Sequence, residues 1–246
     1  AAGDYASRTA ATNSDEIGEL GRTFNAMAES LAQTEQNRRE FLANVSHELK
    51  TPVASIQALA EAIQDGVAGP DLQQRYLTTI VAESRHIDRL IRDLLDLAQL
   101  EAGELAVIPE KIDLASFLAG ERLKYEHLLA EKDLTLTVDI PAPTPPVLAD
   151  SGRLAQVMAN LVSNAIRHSP VGGAITITVQ NSAGKVAVAV SDNGPGIPSA
   201  DQPYVWDRFY RVETSRSKRG GEAGLGLSIV RSLLAAQGGS ITAESA

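Results

Sequence analysis

The stretch Phe41–Ile63, FLANVSHELKTPVASIQALAEAI, decides the fold of the first half of this chain. Its apolar residues recur at steps of three and four, which is the repeat of one face of an α-helix. They are Phe41, Val45, Leu49, Pro52, Ile56, Leu59 and Ile63. At roughly 100° per residue, His47 lies about 200° from both Val45 and Leu49. The stretch therefore predicts an amphipathic helix that presents His47 to solvent.

The dipeptide His47-Glu48 gives this exposed face a possible chemistry. A neutral imidazole nitrogen can attack as a nucleophile while the carboxylate takes up, or hydrogen-bonds, the proton on the other nitrogen. The alternative is an ordinary solvated His-Glu pair on a helix surface, and this alternative stays open on these two residues alone.

Composition limits the classes of protein to which the chain can belong. Its 246 residues, 43% of them hydrophobic, suffice for two domains with real cores. A net charge of -9 argues against nonspecific nucleic-acid binding, so we expect no nucleic-acid partner. The sequence contains no cysteine, and its four histidines have no metal-ligand spacing, which argues against a structural zinc site. The chain lacks an initiating methionine and a long apolar run, which leaves open that it is a piece of a longer protein and that a membrane segment lies outside it.

Two long helices are predicted in the first half. Residues 14–64 read as one helix with its cap at Asn13 or Ser14, residues 65–71 as a turn, and residues 71–102 as a second helix. A hairpin of two amphipathic helices leaves each apolar stripe half covered. We therefore expect two copies to dimerise into a four-helix bundle.

The second half alternates short strands with helices, which indicates an α/β sandwich. The predicted strands are 134–140, 174–180 and 186–191. The predicted helices are 114–131, 153–168 and 227–237. The proline-rich residues 141–146 read as an extended connector.

Three motifs in the second half suggest a nucleotide site. Asn160 and Asn164 share one face of a helix, and their amide oxygens can ligate magnesium, although such pairs are commonly surface polar residues. Asp192, at a strand end before a glycine turn, could accept the amino hydrogen of adenine, with a plain β-turn as the alternative. Residues 220–227 run from glycines into a helix, so the free N–H groups of its first turn can bind phosphate.

Together and in this order, the motifs resemble those of the sensor histidine kinases of two-component systems, whose ATP-binding domain shares its fold with gyrase, Hsp90 and MutL ATPases. The resemblance covers nearly the whole chain. The matching segments are the phosphoacceptor box Val45–Pro52, the asparagine box Asn160–Ser169, the first glycine box Asp192–Ile197, the phenylalanine box Trp206–Arg211 and the second glycine box Gly224–Leu227. Residues 15–27 also resemble the end of a HAMP signalling domain.

The resemblance implies a multidomain α and α+β protein. Residues 1–33 would be the end of HAMP and a signalling helix, residues 34–104 the dimerisation and histidine-phosphotransfer hairpin, and residues 105–246 the α/β sandwich ATP-binding domain. The family usually continues past residue 244 into a further strand, so we expect the last strand of the sheet to be lacking.

The resemblance also implies roles for individual residues. His47 would attack the γ-phosphate of ATP, Glu48 would be its base or orienting partner, and Thr51 would position water in the phosphatase reaction. Asn164, with help from Asn160, would hold Mg²⁺, and Asp192 would read adenine. The other implied nucleotide-site residues are Arg167, His168, Gly194, Gly196, Phe209, Arg211, Gly224, Leu225, Gly226 and Leu227. Residues 202–223 would form a mobile segment over the nucleotide.

One departure from the fold's hydrolysing ATPases bears on the reaction. They carry a water-activating glutamate four positions before the magnesium asparagine, and this chain carries Asn160 there. The implied activity is therefore autophosphorylation of His47 and transfer to an aspartate of a response regulator receiver domain. An ATPase of the same fold and a non-catalytic, nucleotide-binding dimeric scaffold remain the alternatives. The implied location is the cytoplasmic portion of a bacterial plasma-membrane protein.

Overall fold

The computed structural model describes residues 9, 15–67, 69–182, 184–212 and 223–245 of the chain. The chain divides into two compact units, Ala1–Ile87 and Asp88–Ala246. The first unit is helical and the second mixes helices with strands. Among the described residues, no helix combines the length and the apolar character that crossing a membrane requires.

Helix α1 spans Glu16–Gln64, close to the predicted bounds. Its N-cap is Asp15, whose side chain accepts a hydrogen bond from the Gly18 N–H at 2.9 Å. The predicted cap at Asn13 or Ser14 is therefore wrong, because the carboxylate of Asp15 already satisfies a free N–H of the first turn. The helix continues through Pro52, which has no N–H to donate to the carbonyl of Glu48.

The apolar stripe of α1 lies on the more buried face of the helix, as predicted. Pro52 is buried and His47 is exposed. The other six stripe residues are half-buried: Phe41, Val45, Leu49, Ile56, Leu59 and Ile63. A turn with Gly66 at φ +66° leads to α2, Pro70–Glu101, which completes a helical hairpin. A half-buried stripe on a single chain leaves apolar surface for a further partner.

The second unit contains five strands and four further helices in the described residues. The strands are β1 Glu110–Ile112, β2 Thr135–Asp139, β3 Val147–Ala149, β4 Ala174–Ser182 and β5 Lys185–Asp192. The helices are α3 Leu114–Leu123, α4 Glu126–Glu131, α5 Ser151–His168 and α6 Gly226–Ala236. Strands β2, β4 and β5 form one sheet in that order, and β1 pairs with β3.

The register of the larger sheet brings two chain segments together. Strand β2 is parallel to β4, with Thr135 opposite Ala174. Strand β5 is antiparallel to β4, with Asp192 opposite Ile175. Asp192 therefore lies beside the beginning of β4, and the loop that joins α5 to β4 lies next to it.

The core of the second unit lies between one face of this sheet and the helices. Ile175, Ile177 and Val179 of β4 are fully buried against residues of α3 and α5, among them Leu118 and Val162. The alternate residues of β2 and β4 are exposed or half-buried on the opposite face, and most of them are threonines. The arrangement confirms the predicted α/β sandwich, because strand residues alternate between core and solvent.

Two details differ from the predictions, and one feature of the sheet edge agrees with them. The predicted helix 114–131 is two helices, because the chain turns at Lys124 to bury Tyr125, whose pKa burial raises to about 12. The paired strands β1 and β3 were not expected: β1 precedes α3, and β3 follows the proline-rich connector. Residues 239–245 form no strand, and the outer edge of β5 has no strand partner in the described part of the chain.

The last turns of α2 belong to the second unit and contact α5. The carboxylate of Asp96 accepts hydrogen bonds from Arg153 Nη1 at 3.2 Å and from Gln156 Nε2 at 2.6 Å. Arg208 forms an ion pair with Glu101. The beginning of α5 is therefore fixed against the end of α2 by charge-assisted hydrogen bonds.

Asp150 caps the N-terminus of α5 and makes the stability of this unit depend on pH. Hydrogen bonds from the N–H groups of Ile108 and Arg153 lower the pKa of Asp150 below its ordinary value. A lowered pKa stabilises the fold above the ordinary value of about 3.9, and the contribution is lost as pH falls through the folded-state pKa. We expect Asp150→Ala to lower the free energy of unfolding by about 1 kcal/mol at neutral pH.

Urea unfolding of the wild type and of Asp150→Ala, at pH 7 and at pH 3, measures the difference in their unfolding free energies. The difference in unfolding free energy between the wild type and Asp150→Ala should narrow at the lower pH, because the unfolded chain takes up the proton below the ordinary pKa and the contribution of the ionised carboxylate falls. Asp150→Asn keeps a capping oxygen and should lose less than Asp150→Ala at pH 7. An equal gap at both pH values would show that the charge of Asp150 does not contribute.

Candidate active site

The three predicted residues of the phosphoacceptor box lie on one turn of α1. His47 and Thr51 are exposed, and Glu48 is half-buried. The hydroxyl of Thr51 donates to the carbonyl oxygen of His47 at 3.3 Å. Within the described residues, the His47 ring and the Glu48 carboxylate make no hydrogen bond or ion pair with each other. His47 is thus an exposed imidazole with a carboxylate next to it on the same helix.

The second group of candidate residues occupies the C-terminal half of α5. Asn160, Asn164, Arg167 and His168 are all half-buried. Asn160 and Asn164 lie one turn apart and so share a face, whereas Val162 between them and Ala165 after them are buried in the core. The helix therefore presents two amide groups, a guanidinium and an imidazole along the edge of the core rather than to bulk solvent.

The loop after β5 rests on the end of α5. The Oδ1 atom of Asp192 accepts a hydrogen bond from the Gly194 N–H at 2.8 Å. A Cβ atom added to Gly194 would lie 2.6 Å from that oxygen and 3.0 Å from the carbonyl oxygen of His168. Only glycine fits this close approach, and through it the fold joins the asparagine box to the first glycine box.

Helix α6 lies antiparallel to α5 and brings its N-terminus toward the asparagines. The two helices pack against each other, and Oε1 of Gln237, just after α6, accepts from the N–H of Asp150 at 2.8 Å. Eleven residues of α6 span about 16 Å, so a path along α5 from Gln237 would bring Gly226 toward the middle of α5, where Asn160 and Asn164 lie.

The N-terminus of α6 is suited to bind an anion. Its N-cap residue, Leu225, is buried and makes no side-chain capping hydrogen bond. Gly226 and Leu227 form the first turn, in which the N–H groups have no partner inside the helix. These donors and the positive end of the helix dipole are the features that the predicted phosphate-binding role requires.

The phenylalanine box is held against the second glycine box. The N–H of Phe209, at φ +61°, donates to the carbonyl oxygen of Gly224 at 2.9 Å. A Cβ atom on Gly224, at φ +72°, would lie 2.8 Å from the carbonyl oxygen of Tyr210. Arg211 follows and is half-buried. The predicted mobile segment 202–223 is described only in part, because residues 213–222, with Gly220 and Gly221, lie outside the described residues.

Gly196 completes the first glycine box in the left-handed region, at φ +73°. The next residue, Ile197, donates its N–H to the hydroxyl oxygen of Ser245 at 2.7 Å. This bond ties the end of the described chain to the loop that follows β5. The backbone at Gly196 needs a glycine because other residues rarely adopt this conformation.

Sequence reasoning assigned no role to Asn193, which the structure places in the wall of the site. Its Oδ1 atom accepts from the Ala174 N–H at 3.0 Å, and a Cβ atom on Gly173 would lie 2.6 Å from the same oxygen. Asn193 thus ties the loop after β5 to the first residue of β4. Its position next to Asp192 in the first glycine box is the sequence feature that could have identified Asn193.

The described residues suit a nucleotide and a hard divalent cation. The close approaches at Gly194 and Gly224 leave no room for side chains. The first turn of α6 offers N–H donors, and Arg167 offers positive charge for phosphate oxygens. The amide oxygens of Asn160 and Asn164 are the kind of ligand that Mg²⁺ takes beside phosphate and water.

Three family models match the chain in sequence order. They are the HAMP domain over residues 1–33, the His Kinase A (phospho-acceptor) domain over residues 37–103, and the histidine kinase-, DNA gyrase B-, and HSP90-like ATPase over residues 149–246. His47 lies in the second of these regions. Asn160, Asn164 and Asp192 lie in the third.

Individual proteins show the same likeness. The sensor-like histidine kinase SenX3 of Mycolicibacterium smegmatis is 39% identical over 210 residues, which cover 85% of this chain and 54% of that protein. The signal transduction histidine-protein kinase BaeS of Escherichia coli is 34% identical over 243 residues, which cover 99% of this chain and 51% of that protein. The chain thus spans about half the length of the curated relatives that it matches.

A solved structure resembles the fold over most of the chain. The histidine kinase AdeS of Acinetobacter baumannii superimposes with a TM-score of 0.64 at 27% sequence identity. The match covers 77% of this chain and 86% of that one. The likeness therefore includes the helical hairpin as well as the α/β sandwich.

Proposed function

The chain belongs to the sensor histidine kinases of two-component systems, and from this premise we propose that it autophosphorylates His47 with ATP and passes the phosphoryl group to an aspartate of a response regulator. The observation that carries the proposal is the exposed ring of His47, opposite the half-buried stripe of α1, inside the region that matches the phospho-acceptor domain. A phosphoryl acceptor must reach a nucleotide bound elsewhere, and an exposed ring meets that requirement.

The proposed first step forms a bond from a ring nitrogen of His47 to the γ-phosphorus and breaks the bond from that phosphorus to the bridging oxygen of ADP. Glu48, the next residue on α1, takes up or hydrogen-bonds the proton on the other ring nitrogen. Thr51 lies one turn beyond His47, and its hydroxyl is held at the His47 carbonyl. We assign it the positioning of water when a phosphorylated regulator is dephosphorylated.

The proposed nucleotide site uses the groups gathered around α5. Asn164, with Asn160, would hold Mg²⁺, which supplies positive charge against the phosphate oxygens when it is bound. The bond from Gly194 orients the carboxylate of Asp192, which then accepts the exocyclic amino hydrogen of adenine. The phosphates and ribose would be contacted by the first turn of α6 and by Arg167, His168 and Arg211. Phe209 would hold the segment 202–223 in place over the nucleotide.

Asn160 favours phosphoryl transfer over hydrolysis of ATP. A carboxamide cannot take a proton from water as a glutamate at that position would, so we expect slow release of phosphate. Incubation with γ-labelled ATP and magnesium tests the proposal. Label should stay on the protein, be stable in base and be lost in acid. Steady phosphate release without labelling would support the ATPase alternative, and binding without either result would support the scaffold.

The remaining parts of the proposal concern the whole protein. We propose that residues 1–33 end a HAMP domain, residues 34–104 form the hairpin that dimerises, and residues 105–246 form the catalytic domain. The half-buried stripe of α1 supports dimerisation into a four-helix bundle, because a second copy would cover it. The HAMP match supports a location on the cytoplasmic side of a bacterial plasma membrane, with the membrane segment before residue 1.

Gly224→Ala should damage the nucleotide site more than a comparable substitution elsewhere. An added methyl group would meet the backbone of Phe209 and Tyr210 at 2.8 to 3.0 Å, and backbone cannot swing away as a side chain can. We expect the affinity for ATP to fall at least about tenfold as residues 223–225 are displaced. Calorimetric titration with ATP and magnesium measures the change.

Gly184→Ala is the matched control for this substitution. Gly184 lies in the turn between β4 and β5 at φ +78°, with nothing within 4 Å of an added Cβ. Each substitution should destabilise the fold by about 1–2 kcal/mol, because alanine disfavours the left-handed backbone at both positions. Only the added methyl group of Gly224→Ala also collides with neighbouring atoms. Equal ATP affinities for the two folded variants would contradict the assigned role of Gly224.

A further inference from the structure

A lysine from a distant part of the chain binds the end of α5. Lys132 lies in the loop between α4 and β2 and is half-buried. Its Nζ atom donates to the carbonyl oxygen of Ile166 at 2.8 Å and to that of Arg167 at 2.9 Å. The last carbonyls of a helix have no partner inside the helix and carry the negative end of its dipole. An ammonium group therefore satisfies both the hydrogen bonds and the charge at this helix end.

The backbone of Lys132 fixes the loop that follows α5. The carbonyl oxygen of Lys132 accepts from the Gly172 N–H at 3.1 Å. The N–H of Thr135, the first residue of β2, donates to the carbonyl oxygen of Gly173 at 3.0 Å. The backbone of Lys132 is thus bound to the α5–β4 loop while its side chain binds the end of α5.

The helix end that Lys132 binds is a wall of the proposed nucleotide site. The next carbonyl, that of His168, is the atom that Gly194 approaches most closely outside its own loop. Asn193 binds the first residue of β4 from the other side. A shift of the end of α5 would move Asn164 and Arg167 on one side and the Asp192 loop on the other.

We infer that Lys132 is a positioning residue for nucleotide binding: it holds the C-terminal end of α5 against the α5–β4 loop, so that the asparagine box and the Asp192 loop keep one spacing. The inference rests on the proposed nucleotide site and adds to it a residue outside every motif of that site. A lysine that only stabilised the fold would change the unfolding midpoint and leave nucleotide affinity unchanged in the folded protein.

The test compares three variants of the full chain. Lys132→Met keeps the aliphatic stem and removes the donors, Lys132→Arg keeps a cation with several donors, and Lys111→Met removes an exposed lysine of β1 as the matched control. We expect Lys132→Met to weaken binding of ATP with magnesium about tenfold and to raise the KM for autophosphorylation by a similar factor. The rate at saturating ATP should stay within about threefold of wild type.

The conservative variant and the control complete the test. Lys132→Arg should recover most of the affinity, and Lys111→Met should bind ATP as the wild type does. If Lys132→Met does not fold, Lys132→Gln, which keeps one donor, should show an intermediate affinity. Wild-type affinity in a folded Met or Gln variant, or equal losses in the Met and Arg variants, would overturn the inference.

The direct binding measurement separates this inference from the proposed function. If the wild type binds ATP but never forms phosphohistidine, the proposed kinase activity fails, and the role of Lys132 still stands or falls on the measured affinities. If the wild type binds no nucleotide, both fail.

Discussion

Replacement of His47 by glutamine should reduce autophosphorylation to background, a loss of more than about a hundredfold. Glutamine keeps a polar, exposed side chain on α1 but has no nucleophilic nitrogen. The apolar stripe on the opposite face of the helix is untouched, so the fold and dimerisation should persist. Transfer of label from [γ-³²P]ATP to the protein, followed over time with magnesium present, measures the loss.

His127 provides a matched control for this substitution. It is another exposed histidine beside a carboxylate, with its Nδ1 atom 3.4 Å from Oε1 of Glu131 on α4. His127→Gln removes the same side chain without touching the phosphoacceptor box, and labelling should stay at the wild-type level. Label that persists in His47→Gln, or that disappears in His127→Gln, would contradict the assignment of the nucleophile.

Asn164→Ala should lower the autophosphorylation rate roughly 10²- to 10³-fold while His47 stays intact. The substitution removes the amide oxygen assigned to Mg²⁺, and alanine favours the helix at that position. The loss should therefore come from the site and not from unfolding of α5. Rates at several magnesium concentrations, together with the thermal unfolding midpoint, measure the two effects separately.

Ser163→Ala is the control for Asn164→Ala. Ser163 precedes Asn164 on α5 and is half-buried, but it lies about 100° around the helix from it. Its replacement should change the autophosphorylation rate less than about threefold. Comparable losses in both variants would mean that any change on this part of α5 disturbs the site, and the role of Asn164 as a ligand would lose its support.

The long helices could be predicted closely because their apolar residues repeat without interruption. The stripe from Phe41 to Ile63 placed the end of α1 at Gln64, where the structure has it. The cap was misplaced because Ser14 and Asp15 are both good capping residues, and side-chain geometry decides between them. The repeat of apolar residues thus predicts that a helix is present, whereas local hydrogen bonds decide at which residue the helix begins.

The short elements could not be predicted because each buries too few side chains to leave a pattern in the sequence. Strands β1 and β3 have three residues each, and each has at most one well-buried position, so no alternation of apolar and polar residues is visible. The break between α3 and α4 contains neither glycine nor proline. It arises because Tyr125 packs into the core, which is a tertiary effect.

The proposed site was predicted residue by residue, but its assembly was not. Motif order identified Asn164, Asp192 and Gly224, yet the contact of Gly194 with the His168 carbonyl follows from the packing of two segments. Lys132 gave no signal at all, since a lysine between a helix and a strand is usually solvated. Its partners lie 34 and 35 residues away along the chain.

The most direct test of the central claim is to map the phosphoryl group on the wild-type chain after incubation with ATP and magnesium. Peptides prepared at alkaline pH and analysed by mass spectrometry keep a phosphoramidate bond intact. We predict a single modified residue, His47, with the modification lost after brief acid treatment. A phosphoryl group on Ser46 or Thr51 that survives acid, or an unmodified chain that has released phosphate, would contradict the account.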